Sequence, residues 1–181
     1  MIWSARYPSD GLVPFTPRWA EDYATMTAGL RRDLGPAWEL EHVGSTSVPG
    51  LAAKPVIDVA IRVPANADVP TYDARFVAAG WTAPRPLGDH TASLLLEGEV
   101  RRAIAHLFTA EQWDEAHVRL FPDWLRRHPA DRDAYQQLKT RLLEDGAWES
   151  GDYTARKTAF VTDIVNRARA ERGLAPVTGS L

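Results

Sequence analysis

The chain has 181 residues, of which 45% are apolar and 25% charged, enough for one sizeable core and outside the range of a disordered polymer. A net charge of −3 leaves no global basic field to recruit nucleic acid or an anionic membrane surface, and no apolar run is long enough for a transmembrane helix. The absence of cysteine excludes disulfides, thiolate zinc sites and a thiol nucleophile, a usage that fits a cytoplasmic protein.

Residues 1–17 read as irregular, with Pro8, Pro14 and Pro17, and lack the apolar stretch of a signal peptide. Trp19, Tyr23, Met26 and Leu30 recur at spacings of three and four, which predicts an amphipathic helix over 18–33 closed near Gly35 and Pro36. A short strand is expected over 39–43, running into Gly44-Ser45-Thr46-Ser47. Residues 55–63 are the clearest strand, rich in β-branched side chains and ended by Pro64. A short helix over 72–79 precedes a hairpin of 93–97 and 100–108 that turns at Gly98.

From Thr109 onward the pattern is helical. Segments are expected at 111–120, 122–127 (with Pro122 as a first helical residue), 131–144 and 153–172. Phe160, Ile164 and Val165 fall on one face of the last. No repeat or low-complexity linker divides the chain. One domain over 1–175 with a loose tail at 176–181 is therefore expected, of α+β class, with a mixed sheet flanked by helices and a helical C-terminal part.

The chemistry of the chain, if it has any, is expected around Gly44-Ser45-Thr46-Ser47 and Asp58. Glycine lets a backbone approach closely, and the amides and hydroxyls of Ser45, Thr46 and Ser47 can donate to a phosphate. A helix starting there would add its dipole. The same four residues also describe an ordinary turn. Asp58 interrupts the apolar run Val56-Ile57-Asp58-Val59-Ala60-Ile61. A charge on such a strand must be ion-paired, hydrogen-bonded, metal-bound or at a cleft. Magnesium-dependent phosphate chemistry places a strand carboxylate near a phosphate loop, so Asp58 is also the candidate metal ligand.

The stretch His42-Val-Gly-Ser-Thr-Ser-Val-Pro-Gly-Leu-Ala-Ala-Lys-Pro-Val-Ile-Asp58 closely resembles the signature of the GrpB family, a group with a nucleotidyltransferase-like fold. Softer likeness lies in Pro14 to Trp19, in Arg102 and His106, and in Asp152-Tyr153 through Lys157 to Phe160. The resemblance implies a small mixed sheet flanked by helices, with the Gly-Ser turn and Asp58 facing one cleft. It adds Arg102 and Lys157 to the candidates. Two departures stand out: Ala60 occupies the place where active nucleotidyltransferases put a second carboxylate, an acid that the family commonly lacks too, and Ile104 stands where the family commonly has the first histidine of a His-x-His. A relation to modules fused with dephospho-CoA kinase hints at coenzyme A-like ligands.

His106 shares a strand face with Ile104 and Phe108 and is a candidate to bind a phosphate, ligate a metal or exchange a proton, beside the alternative of a structural histidine; His42 faces the same choice, and Glu41 could add a ligand. Lys54 and Lys157 gain interest because the chain has only three lysines against eighteen arginines. Of Arg101 and Arg102, one must face inward. Trp19, Trp113, Trp124 and Trp148 read as core residues rather than base-stacking platforms. Asp89, Glu97 and Glu99 read as exposed hairpin charges that could replace a lost ligand. The leading expectation is a nucleotide-binding protein with a nucleoside triphosphate as partner and magnesium brought with it, transferring a nucleotidyl group to a small acceptor. The alternatives are a binding module that has lost its catalytic metal pair, or a different ligase or transferase chemistry on the same scaffold.

Overall fold

The computed structural model of the protein describes residues 5–9, 11–147 and 152–177. Helix α1 (Arg18–Leu34) follows the predicted spacing and buries Trp19, Leu30 and Leu34. Strand β1 (Glu39–Val43) passes through a single 3-10 turn at Ser45–Ser47 and an extended segment to β2 (Ile57–Arg62). Helix α2 (Asp73–Ala78) precedes β3 (Arg85–Leu87), β4 (His90–Glu97) and β5 (Val100–Phe108). Helices α3 (His117–Arg127), α4 (Pro129–Glu144) and α5 (Tyr153–Glu171) complete the order.

The sheet runs β1-β2-β5-β4-β3, with β2 and β5 parallel and the other neighbours antiparallel. The register sorts side chains cleanly. Ile57, Val59 and Ile61 of β2 share a face with Ala103, Ala105 and Leu107 of β5, and pack under α1 and α2 against Trp19, Leu30 and Phe76. Burying each large apolar side chain of this kind is worth roughly 1.5–3 kcal/mol. The opposite face carries Asp58, Ala60, Ile104 and His106 beneath the helical C-terminal part, whose own cluster joins Leu120, Trp124, Tyr135 and Ile164.

Four details depart from the sequence reading. No α-helix covers 111–116, where a 3-10 turn at Trp113–Glu115 precedes α3. Pro122 does not start a helix but lies inside α3. It forgoes one helical hydrogen bond, a loss offset by the burial of its neighbours Leu120, Phe121 and Trp124. Strand β4 begins at His90, earlier than expected, and gains the short edge strand β3, whose three exposed residues carry no apolar alternation to announce it. The early segment is not wholly irregular, since Arg6 bridges to Val100 and Val13 to Ala53. Trp148 and tail residues 178–181 lie outside the described residues. Among the described residues, no helix is long and apolar enough to cross a membrane.

Candidate functional site

Asp58 is the second residue of β2, opposite Val43 of β1 and beside Ile104 of β5. Its side chain is held close against Gly44, which has φ +69°; a Cβ at that position would meet Asp58 Oδ2 at 2.0 Å. Glycine is therefore required both for the turn and for the approach of the carboxylate. The turn brings Ser45 to the same cleft, about 200 Å³ in volume, as expected for the strand–turn–strand unit. Because Ser45–Ser47 is one 3-10 turn and not the start of an α-helix, this turn adds no α-helix dipole of its own to the cleft.

The charge for an anion comes from lysines instead. Lys54, Lys139 and Lys157 all line this cleft with Asp58, together with Tyr7 and Tyr153. They are the only lysines in the chain. Lys54 Nζ lies 5.1 Å from the centre of the Tyr7 ring and 4.9 Å from that of Tyr153, and Lys157 Nζ lies 4.3 Å from Tyr153. Lys139, only 2% exposed, donates to the carbonyl of Ala52 and stands over Tyr135. Burial, followed by repulsion from Lys157, lowers the Lys139 ammonium to about 7. Burial lowers Lys157 to about 8, with Asp58 pulling the other way. Tyr135, fully enclosed, shares a side-chain hydrogen bond with Ser45, and Tyr153 is raised by burial to about 12.

Other sequence candidates fall elsewhere. Thr46 is buried, with its hydroxyl 3.0 Å from His42 Nε2 and turned toward the Val56 carbonyl. Ser47 donates to Gly44 O at 2.7 Å and accepts from Arg126 Nη2 at 2.7 Å, tying the turn to α3. Of the three hydroxyls, only that of Ser45 lines the cleft. His42 stacks on Tyr23, and burial lowers it to about 4, which makes it a neutral packing residue. Glu41 is on the Asp58 face but is engaged by Arg119 at 2.6 Å. Arg102 pairs with Glu97 at 3.5 Å in a neighbouring hollow, while the inward residue is Arg101, which donates to the Tyr7 hydroxyl at 3.1 Å. A bulge between Leu95 and Leu96 shifts the register at this point. His106 lies just beyond the cleft, its Nε2 3.9 Å from Asp58 Oδ1.

The donor set does not fit a resident magnesium ion. Ala60, on the same face as Asp58, is enclosed by Val43, Phe108, Trp113 and Ala116, so apolar packing fills the place of a second carboxylate. Ile104 stands directly beside Asp58. Among the described residues, no three histidine, aspartate or glutamate side chains are arranged to hold a metal. The residues that sequence reasoning missed are Lys139, Tyr7 and Tyr135. The rarity of lysine applied equally to Lys139, but no motif around it singled it out.

The sheet order, the turn at Gly44 and the carboxylate on the adjoining strand define a nucleotidyltransferase-like α+β fold. The solved GLD-2/RNP-8 complex shares it with a TM-score of 0.52 at 10% identity, over 87% of this chain and 61% of that one. The crystal structure of the conserved protein GrpB from Enterococcus faecalis aligns with a TM-score of 0.74 at 24% identity, over 90% of this chain and 99% of that one. The chain belongs to the GrpB family, whose model, described as GrpB protein, matches residues 11–167. A UPF0157 protein of Halalkalibacterium halodurans is 33% identical over 160 residues, covering 88% of this chain and 82% of that protein.

Proposed function

We propose that this protein binds a phosphate-bearing small molecule, with a nucleoside triphosphate as the leading class, between Ser45, Asp58 and the three lysines. The observation that carries the reading is the convergence of Lys54, Lys139 and Lys157 on a cleft where, among the described residues, Asp58 is the one lining carboxylate. Enclosing several ammonium groups is costly, and a polyanion offsets that cost by neutralising them. At about 200 Å³ the cleft suits a phosphate chain. Sites that enclose whole drug-sized ligands run to roughly 300–1,000 Å³, so sugar and base extend outside it. In this reading the lysines supply the charge that a pair of metal ions supplies elsewhere, and Asp58 limits the positive field and orients the ligand.

A second reading, nucleotidyl transfer to a small acceptor, is favoured by one observation. Asp58 is kept on the interior strand β2 with a glycine, Gly44, close against its side chain to admit it. Magnesium would then arrive with the nucleotide, since the protein's own donors do not hold it.

The test is calorimetric titration of ATP, dephospho-CoA and pyrophosphate, first with a chelator and then with magnesium, on the wild type and Lys157→Met. Binding without magnesium is expected, weakened about tenfold in Lys157→Met, which corresponds to one charge-assisted contact of roughly 1.5 kcal/mol. No binding by any probe, or no loss in Lys157→Met, overturns the proposal. Binding that requires magnesium and releases pyrophosphate moves the assignment to nucleotidyl transfer.

A further inference from the structure

A line of side chains connects the surface to Asp58 along the end of the sheet. Asp89, largely exposed, lies with Oδ1 2.9 Å from His90 Nδ1. His90 Nε2 lies 2.9 Å from His106 Nδ1, and His106 Nε2 faces Asp58 Oδ1 at 3.9 Å. The His90 side chain is only 7% exposed and stacks on Phe108 at 4.7 Å.

With neutral imidazoles, one arrangement of hydrogens satisfies both short contacts. A carboxylate only accepts, so His90 Nδ1 carries its hydrogen. His90 Nε2 is then a lone pair, and the contact with His106 requires the hydrogen of that ring on Nδ1. The Nε2 of His106 is left bare, pointing at a carboxylate oxygen that is also an acceptor. Burial disfavours the protonated form of His90, in keeping with this arrangement, and His117 stands beside it as a third imidazole lowered by burial to about 4. Two acceptors 3.9 Å apart cannot bond to each other. They can share a donor placed between them.

We propose that Asp89 and His90 are positioning residues that fix His106 with its Nε2 unprotonated, so that His106 and Asp58 together receive a hydroxyl or amine of the ligand. The ligand class becomes a phosphate compound that also carries a hydrogen-bond donor. The donor subsite rests on the phosphate-binding reading; the tautomer of His106 does not.

Long-range nitrogen–proton correlation spectra of the full chain read the tautomer directly. The expected pattern for His106 is hydrogen on Nδ1 and a bare Nε2, moving toward the Nε2–H form in Asp89→Ala and in His90→Phe. Asp89 is exposed, so the first variant keeps the fold even if the second does not. A wild-type Nε2–H signal, or no change in Asp89→Ala, overturns the assignment. The subsite is probed with phosphoethanolamine against inorganic phosphate. Severalfold tighter binding of the amine is expected, with a shift of His106 Nε2, and His90→Phe abolishes the advantage without weakening inorganic phosphate. Equal affinities with Nε2 unmoved overturn the donor subsite alone. Failure of both probes to bind overturns the phosphate reading, and the donor subsite with it.

Discussion

The two faces of β2 make opposite uses of the same strand. Ile57, Val59 and Ile61 are sealed beneath α1 and α2, and their identity matters for volume and apolarity. On the other face Asp58 opens to the cleft, Ala60 is locked among Phe108 and Trp113, and Arg62 reaches solvent and Glu39. Two residues along one strand therefore separate a charged pocket from an apolar plug. The difference teaches that the missing second carboxylate is a packing fact as well as a substitution. Trp113 and Phe108 occupy the space beside Ala60 into which a second carboxylate would extend.

Restoring the carboxylate is the most severe way to test that contrast. Ala60→Asp is expected to destabilise the protein by about 3–5 kcal/mol, the range for an uncompensated buried charge, read by chemical denaturation. A stable variant that binds magnesium would show that the plug yields. Gly44→Ala comes next, with about 1–3 kcal/mol lost to backbone strain, to which the contact with Asp58 adds. Combining it with Asp58→Ala should recover part of the loss, because the carboxylate is then gone. Additive losses in the double variant would contradict the close approach.

A smaller effect distinguishes the cleft by pH. The Lys139 ammonium is lowered from 10.5 to about 7 in the folded protein. Between those values the unfolded chain holds the proton and the folded chain does not, so stability rises with pH through this window. Below about 7 both forms are charged and the burial cost is fully felt. Lys139→Met should flatten the rise between about pH 7 and 9, relative to wild type in parallel thermal melts. Affinity for pyrophosphate should move in the other direction and fall over the same interval, as Lys139 and Lys157 discharge. The mildest change is Asp58→Asn, expected to leave the melting temperature nearly unchanged. It should tighten magnesium-free binding of pyrophosphate, which carries no donor for Asp58 to orient, by removing a negative charge from among the lysines, and weaker binding would contradict the field-limiting role of Asp58.

Much of this arrangement was legible in the residues. The Gly44 turn, the Asp58 strand and the amphipathic α1 follow from local patterns, and the family signature connects the turn and Asp58 to one cleft. What was not legible depends on distant segments. Lys139 comes from α4 and reads as an ordinary helical lysine until α4 is laid across Ala52. The roles of Thr46 and Ser47 depend on His42 and on Arg126 of α3. Arg101 and Arg102 exchanged expectations because a bulge, invisible to alternation, lies between their neighbours on β4. His90 escaped notice because β4 starts earlier than its apolar residues suggest.

The parallel contact of β2 with β5 also governs how the molecule is made. The β1–β2 pair and the β4–β5 hairpin each join segments near in sequence, whereas pairing Asp58 with Ile104 closes a long loop across α2 and β3. Loop closure of that length carries an entropic cost, and parallel non-local pairings form slowly. The two halves can thus acquire their hydrogen bonds early while Asp58 and His106 are still strangers. A folding probe that reads the contact between those two residues is therefore expected to respond later than one placed within the β4–β5 hairpin.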